Sequence, residues 1–240
     1  MSYGGPLHII VKENAAEVAK AGAELFINAG RESIRDSGAF RVALSGGATP
    51  RQMYRLLAED GFSSQVPWEK THLFWVDERC VPVEDERSNY GAAKRDLLDR
   101  VPIPAENVHR MPAELPPEEG ARKYQAILEE ILPLNQEGFA VFDLVFLGTG
   151  KDGHTASLFP GQSTLQEERR MVVTARGGEP DVDRLTLTLP VIKIIREIFQ
   201  GDGLGLPAKK VAPRQGRLTW LLDREAAALV LSKENNGKDM

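Results

Sequence analysis

The sequence predicts an α/β fold: a mostly parallel central sheet covered by helices, with additional antiparallel strands. Three observations carry this. Short apolar runs alternate with glycine-rich turns and helix-period segments, the rhythm of a parallel sheet packed under helices. Phe142–Gly148 (FDLVFLG) is apolar on both faces, as a central parallel strand requires. Leu185–Leu189 (LTLTL) alternates strictly, which marks an antiparallel or edge strand with one face in water.

Taken in order, Leu7–Val11 (LHIIV) reads as a short strand, and Asn14 with Glu17 forms a capping box for a helix that buries Val18, Leu25 and Phe26 and ends at Gly38. Arg41–Gly47 (RVALSGG) is a buried strand running into a turn. Pro50 then opens a helix carrying Met53, Leu56 and Leu57. His72–Glu78 (HLFWVDE) is the next strand, and Ser88 caps a helix bearing Leu97, Leu98 and Val101 that Pro102 stops. Pro117 begins a further helix with Tyr124, Leu128 and Ile131 on one face. Met171–Ala175 is a short strand, and LTWLLD and AALVLS are late apolar segments. Only Gln200–Pro207 (QGDGLGLP) resembles a linker, and it lies too near the end to divide the chain, so residues 1–240 are expected to form one domain.

Of 240 residues, 42% are apolar and 27% charged, enough to bury a large core and inconsistent with disorder. The longest apolar run, Ala226–Leu231, is far shorter than the roughly twenty residues of a membrane helix, and the start of the chain lacks the features of a secretory signal. A cytoplasmic protein is expected. Cys80 is the only cysteine, which excludes an internal disulfide, and four scattered histidines have no metal-ligand spacing. A formal charge of −5 does not favour nucleic acid or an anionic membrane, so an anionic small molecule would need a local basic pocket.

Three loops at predicted strand ends carry candidate chemistry, at the edge where open α/β sheets bind ligands. Ser45–Pro50 (SGGATP) joins Gly46, Gly47 and the hydroxyls of Ser45 and Thr49 to a helix start, which reads either as a phosphate cradle or as a plain turn capped by Thr49. Val76–Tyr90 places Asp77, Glu78 and Arg79 at a strand end. There an arginine could grip phosphate while a carboxylate orients a catalytic group; the alternative is a solvated charge run with Cys80 an inert thiol. Leu147–Gly161 (LGTGKDGHTASLFPG) is the densest signal. Gly148, Gly150 and Gly153 formally satisfy GxGxxG, but Glu167 and Glu168 precede the next strand instead of ending it, and His154 stands where a P-loop needs lysine. His154, with Asp152 two residues away, is suited to take a proton from water. The remaining histidines, His8, His72 and His109, flank predicted strands and are expected to be structural. A rival reading is a degenerate nucleophile elbow at Ser45, with Asp143 and His154 following in the order of a serine hydrolase.

Together SGGATP, WVDERCVPVEDERSNY, GTGKDGHTASLFPG, RLTLTLPVI and GRLTWLLD resemble the 6-phosphogluconolactonase family over about Leu7 to Ala228. The resemblance implies a Rossmann-like three-layer sandwich. It also implies hydrolysis of 6-phospho-D-glucono-1,5-lactone to 6-phosphogluconate in the oxidative pentose phosphate pathway, without metal or organic cofactor. By the same resemblance His154 is the general base, Asp152 its orienting neighbour, Gly46, Gly47 and Thr49 the phosphate loop, and Arg79 a second phosphate contact. Ser45, Asp77, Gly153 and Arg184 join the expected substrate-binding set. The expected partner is a small phosphosugar lactone, bound by a monomer or small homo-oligomer.

Two features separate this chain from near relatives. Glucosamine-6-phosphate deaminases share the DGH loop but continue it with an Asn-Glu-Pro type sequence where TASLFPG stands here, so a deaminase-isomerase is the in-class alternative. Past Ile192 the family pattern continues with a turn, an apolar strand and a GxxKA segment, whereas this chain runs into KIIREIFQGDGLGLPA. One strand and a phosphate-binding lysine are therefore expected to be missing, which raises the alternative of a catalytically impaired phosphosugar-binding variant; Lys193 lacks the context to stand in for that lysine.

Overall fold

The computed structural model describes residues 7–150, 152–179, 181–192, 197–200 and 217–227. Its strands in chain order are β1 (Leu7–Lys12), β2 (Phe40–Leu44), β3 (Thr71–Trp75), β4 (Asp77–Arg79), β5 (Val108–His109), β6 (Leu144–Leu147), β7 (Val172–Gly177), β8 (Val182–Leu187), β9 (Glu197–Gln200) and β10 (Arg217–Asp223). The helices are α1 (Ala15–Ser37), α2 (Ala48–Leu57), α3 (Asp60–Ser63), α4 (Asn89–Asp96), α5 (Pro117–Ile131) and α6 (Leu189–Ile192). Among the described residues seven strands form one sheet in the order β1-β10-β9-β6-β2-β3-β5, with every pairing parallel. A second sheet, β4-β8-β7, is antiparallel. No helix of the described residues is long and apolar enough to cross a membrane.

The caps act as the sequence predicts, although α4 ends at Asp96, short of the expected Leu97, Leu98 and Val101. Asn14 caps α1 by accepting a hydrogen bond from the Glu17 N–H at 3.0 Å, and Gly38 ends the helix in the left-handed conformation, φ 81°. The buried face of α1 seats Phe26 edge-on against Phe40 of β2 at 5.1 Å and parallel to Phe146 of β6 at 6.4 Å. That is a contact geometry aromatic rings favour. Val18 and Leu25, expected inside, are half-buried at the margin of this core. All four residues of β6 are buried, consistent with its place between β9 and β2.

Two expectations are corrected. HLFWVDE is not one strand: β3 stays in the parallel sheet, and after Val76 the chain crosses into the second sheet as β4. Val76 is the pivot because its N–H donates to the Leu44 carbonyl at 2.9 Å while its carbonyl accepts from Leu187 N–H at 2.8 Å, one bond to each sheet. LTLTL is antiparallel as expected but not half-solvated, since β8 is the middle strand of its sheet and Arg184, Leu185, Thr186 and Leu187 are all buried. Protein replaces water on its polar face: the Thr186 hydroxyl accepts from Ser157 N–H at 3.2 Å and donates to the Leu187 carbonyl at 3.0 Å. Past Ile192, among the described residues, β9 pairs in parallel with both β6 and β10. Lys193 and residues 201–216, which include most of the expected linker, lie outside the described residues.

Tyr124 of α5 holds the crossover. Its buried hydroxyl accepts from the Trp75 N–H at 2.9 Å and donates to the Trp75 carbonyl at 3.0 Å, satisfying both peptide groups at the end of β3. Tyr124→Phe leaves both buried and unpaired, so unfolding in urea should show a loss of about 1–3 kcal/mol at unchanged m.

Candidate active site

The parallel sheet reverses its direction of growth between β2 and β6: from β2 it extends to β3 and β5, and from β6 to β9 and β10. Loops leaving the carboxyl ends of two such strands diverge and open a crevice. Here they line a cleft of about 440 Å³, joined by the end of β4, β8, the first turns of α1 and the end of β10. Ser45, Gly46, Gly47, Thr49, Asp77, Arg79, His154 and Arg184, all expected from the sequence, lie on its wall.

The loop after β2 leads into α2 through Gly47, whose φ of 112° favours glycine, and the helix has no side-chain cap. Thr49 is therefore not the cap. It is the second residue of the helix, Pro50 the third, and the N–H groups of the first turn remain available to an anion. Tyr54 fixes the loop by donating to the Ser45 carbonyl at 2.5 Å, and burial raises its phenol so that it stays a donor.

Behind this loop lies a polar knot built on Asn89, the first residue of α4. Glu78 is buried and caps α4: Oε1 accepts from the N–H groups of Arg79 and Asn89, both at 2.8 Å, and Oε2 from Tyr90 N–H at 2.7 Å. Burial pushes its carboxyl up, and these donors partly offset the shift. Asp77, expected to touch substrate, spends both oxygens inside the protein. Oδ1 accepts from Asn89 Nδ2 at 3.1 Å and Oδ2 from the Ser157 hydroxyl at 2.7 Å. Asp77 thus ties the loop after β6 to β4. Arg79 faces Arg184 across the β4–β8 register. Arg184 donates from Nε to the Gly177 carbonyl at 2.7 Å, and burial followed by the Arg79 charge draws its guanidinium below the usual value. Arg79 makes no ion pair among the described residues, and its Nε is buried without a partner. Two adjacent guanidiniums in one cleft form the local basic site that the net charge cannot supply. Cys80 is no nucleophile, since burial first, then Asp183 and Glu78, push its thiol up to about 11.

The loop after β6 presents the imidazole. His154 Nδ1 lies 2.5 Å from Asp152 Oδ1, which also accepts the His154 backbone N–H at 3.2 Å. Burial pushes the Asp152 carboxyl up, but these bonds outweigh it and hold it below its usual value, so it is ionised and can only accept. The other ring nitrogen, Nε2, makes no hydrogen bond among the described residues. The Phe159 ring packs against His154 at 4.9 Å and under the Arg184 guanidinium at 5.6 Å, so imidazole and guanidinium share a wall. Gly153, φ 78°, makes the turn, its N–H donating to the Gly150 carbonyl at 2.8 Å. The serine-hydrolase triad is not assembled: His154 pairs with Asp152, Asp143 accepts the Arg41 N–H at 2.8 Å, and the Ser45 hydroxyl donates to the Gly46 carbonyl.

Residues 13–200 match the family described as glucosamine-6-phosphate isomerases/6-phosphogluconolactonase. The chain belongs to this family. Among its relatives, the 6-phosphogluconolactonase of a Synechocystis species is 39% identical over 81% of this chain and 86% of that protein. The 6-phosphogluconolactonase of Haemophilus influenzae is 34% identical over 79% and 87%. Of solved structures, the 6-phosphogluconolactonase of Trypanosoma brucei superposes with TM-score 0.84 at 27% identity, covering 95% of this chain and all of that one. A monomeric glucosamine-6-phosphate deaminase, 18% identical with TM-score 0.75 over 92% of this chain and 99% of its own, shares the fold.

Three residues at or beside the cleft carry no site signal in the sequence: Asn89 and Gly150 on its wall and Ser157 against Asp77. Asn89 and Ser157 sit in the SNY and TAS segments as ordinary cap-like polar residues, and their partners Asp77 and Arg79 are close only in space. Gly150 has a steric signature, since a Cβ there would lie 2.2 Å from His154 Cε1 and 2.3 Å from Nδ1. Its backbone tolerates alanine, being outside the left-handed region. Gly150→Ala should leave far-UV circular dichroism unchanged but push the imidazole off Asp152, seen as loss of the downfield Nδ1–H proton resonance of His154.

Proposed function

We propose that the protein hydrolyses 6-phospho-D-glucono-1,5-lactone to 6-phosphogluconate in the oxidative pentose phosphate pathway, with His154 as general base. The observation that carries the reading is the placement of an imidazole oriented by Asp152 and an arginine pair on one wall of one cleft. The relatives that share the family and bear the 6-phosphogluconolactonase name support the choice of substrate.

The chemistry follows from the residues. Nε2 of His154 takes a proton from water as the oxygen adds to the lactone carbonyl, and Asp152 stabilises the imidazolium that forms. When the tetrahedral intermediate collapses, the bond from C1 to the ring oxygen breaks and the imidazolium returns its proton to that oxygen. The products are a carboxylic acid, which ionises, and a free hydroxyl. A lactone is an activated ester, so a positioned base and charge stabilisation suffice and no covalent nucleophile is needed. The phosphate is the handle. The uncapped N–H groups at the start of α2 and the guanidinium of Arg79, with Arg184 beside it, hold the dianion and spend its binding energy on aligning the ring carbonyl with His154.

The test is hydrolysis of freshly made lactone, followed as NADPH through added 6-phosphogluconate dehydrogenase. Wild type should exceed the spontaneous rate, and His154→Ala should lose a factor of about 10² to 10⁴ in kcat at an unchanged thermal transition. A wild-type rate equal to the spontaneous one, or ammonia release from glucosamine 6-phosphate, would overturn the assignment.

A further inference from the structure

Asn89 is buried, and both polar atoms of its side chain are engaged. Nδ2 donates to the backbone carbonyl of Asp77 at 2.9 Å and to Asp77 Oδ1 at 3.1 Å, and Oδ1 accepts from Arg79 Nη1 at 2.8 Å. Nη1 also donates to the Arg87 carbonyl at 2.7 Å. One corner of the guanidinium is therefore clamped by two acceptors. Its opposite edge, Nε with Nη2, has no acceptor among the described residues, and Nε is out of contact with water. That edge is the fork with which arginine grips an oxyanion through two parallel hydrogen bonds. A buried N–H left unpaired is costly and is satisfied once an anion arrives.

We propose that Asn89 is a positioning residue for phosphate: it aims the Nε–Nη2 edge of Arg79 into the cleft and locks it to the loop after β2. The proposal rests on the reading of the cleft as a phosphosugar site. The residue type follows from the geometry. An amide offers a donor toward Asp77 and an acceptor toward Arg79 side by side, so its orientation is fixed by the charges on either hand. It holds the guanidinium without neutralising it. A carboxylate at this position would repel Asp77 and form an ion pair with Arg79, competing with the phosphate for the same cation. Both nearby carboxylates are already turned elsewhere, Asp77 to Ser157 and Glu78 to the start of α4. The lock to the phosphate loop is steric, since a Cβ on Gly46 would lie 1.9 Å from Asn89 Oδ1 and 2.5 Å from Cγ. The amide occupies the space that any other residue at 46 would need.

The experiment measures inorganic phosphate affinity by calorimetry for wild type, Asn89→Ala, Asn89→Asp, Arg79→Ala and the Asn89→Ala/Arg79→Ala double variant, with KM and kcat for the lactone alongside. Asn89→Ala should weaken phosphate about tenfold or more and raise KM more than it lowers kcat. In the Arg79→Ala background the same change should cost less than about twofold, because its effect passes through that guanidinium. Asn89→Asp, nearly isosteric, should weaken phosphate at least as much and carries the test alone if Asn89→Ala does not fold. Wild-type phosphate affinity in either folded single variant, equal weakening with and without Arg79, or no phosphate binding by wild type would overturn the proposal. Phosphate binding needs no turnover, so a wild type that binds phosphate as described but hydrolyses no lactone defeats the proposed reaction alone.

Discussion

The structure depends on one residue belonging to two sheets. Val76 hydrogen-bonds through its N–H to β2 and through its carbonyl to the end of β8, and between Trp75 and Asp77 the chain passes from the parallel sheet to the antiparallel one. A crossover of this kind breaks the ladder of both sheets, and buried peptide groups left without partners would cost more than a small domain can spare. The Tyr124 hydroxyl supplies the missing partners at Trp75, and β4 recovers its ladder against β8. The apolar residues of the two sheets merge in one core, so the crossover is also buried. Asp77, Glu78 and Arg79 follow immediately and are carried to the mouth of the crevice between β2 and β6.

Charge in that crevice is sorted by partner. The carboxylates nearest the arginines and the imidazole are committed: Glu78 to the first turn of α4, Asp77 to Asn89 and Ser157, Asp152 to His154. The guanidinium of Arg79 is held by a carbonyl and an amide, which fix its direction and leave its charge intact. The cleft thus keeps positive charge at one place and an imidazole oriented by Asp152 at another. The short helix start at Gly47 adds N–H groups without adding a competing side chain. In the proposed reaction binding and proton transfer fall to different groups, so the energy of a remote phosphate can be spent on geometry at the carbonyl.

Much of this was legible in the chain because it is local. The Asn14 and Ser88 caps, the Gly38 stop, Pro117 at the start of α5 and the apolar β6 all follow from residues within a few positions of one another. The His154–Asp152 pair is legible for the same reason. What the sequence obscured is non-local. Nothing in HLFWVDE marks Val76 as a boundary, because the residues that break the strand, Leu44, Tyr124 and Leu187, are distant in sequence. The alternation of LTLTL suggests water on one face, whereas the hydroxyls of β8 meet Ser157 and the backbone instead. Thr49 looks like a cap until the helix is seen to start one residue before it.

The central claim is that the phosphate grip and the proton-transfer base are separate parts of one cleft. Calorimetric titration of 6-phosphogluconate into wild type and His154→Ala tests it directly. Equal dissociation constants, within about twofold, are predicted for the two proteins, because the variant loses the base and keeps the arginines and the α2 loop. Loss of product binding in a folded His154→Ala, or no binding by wild type, would contradict the account.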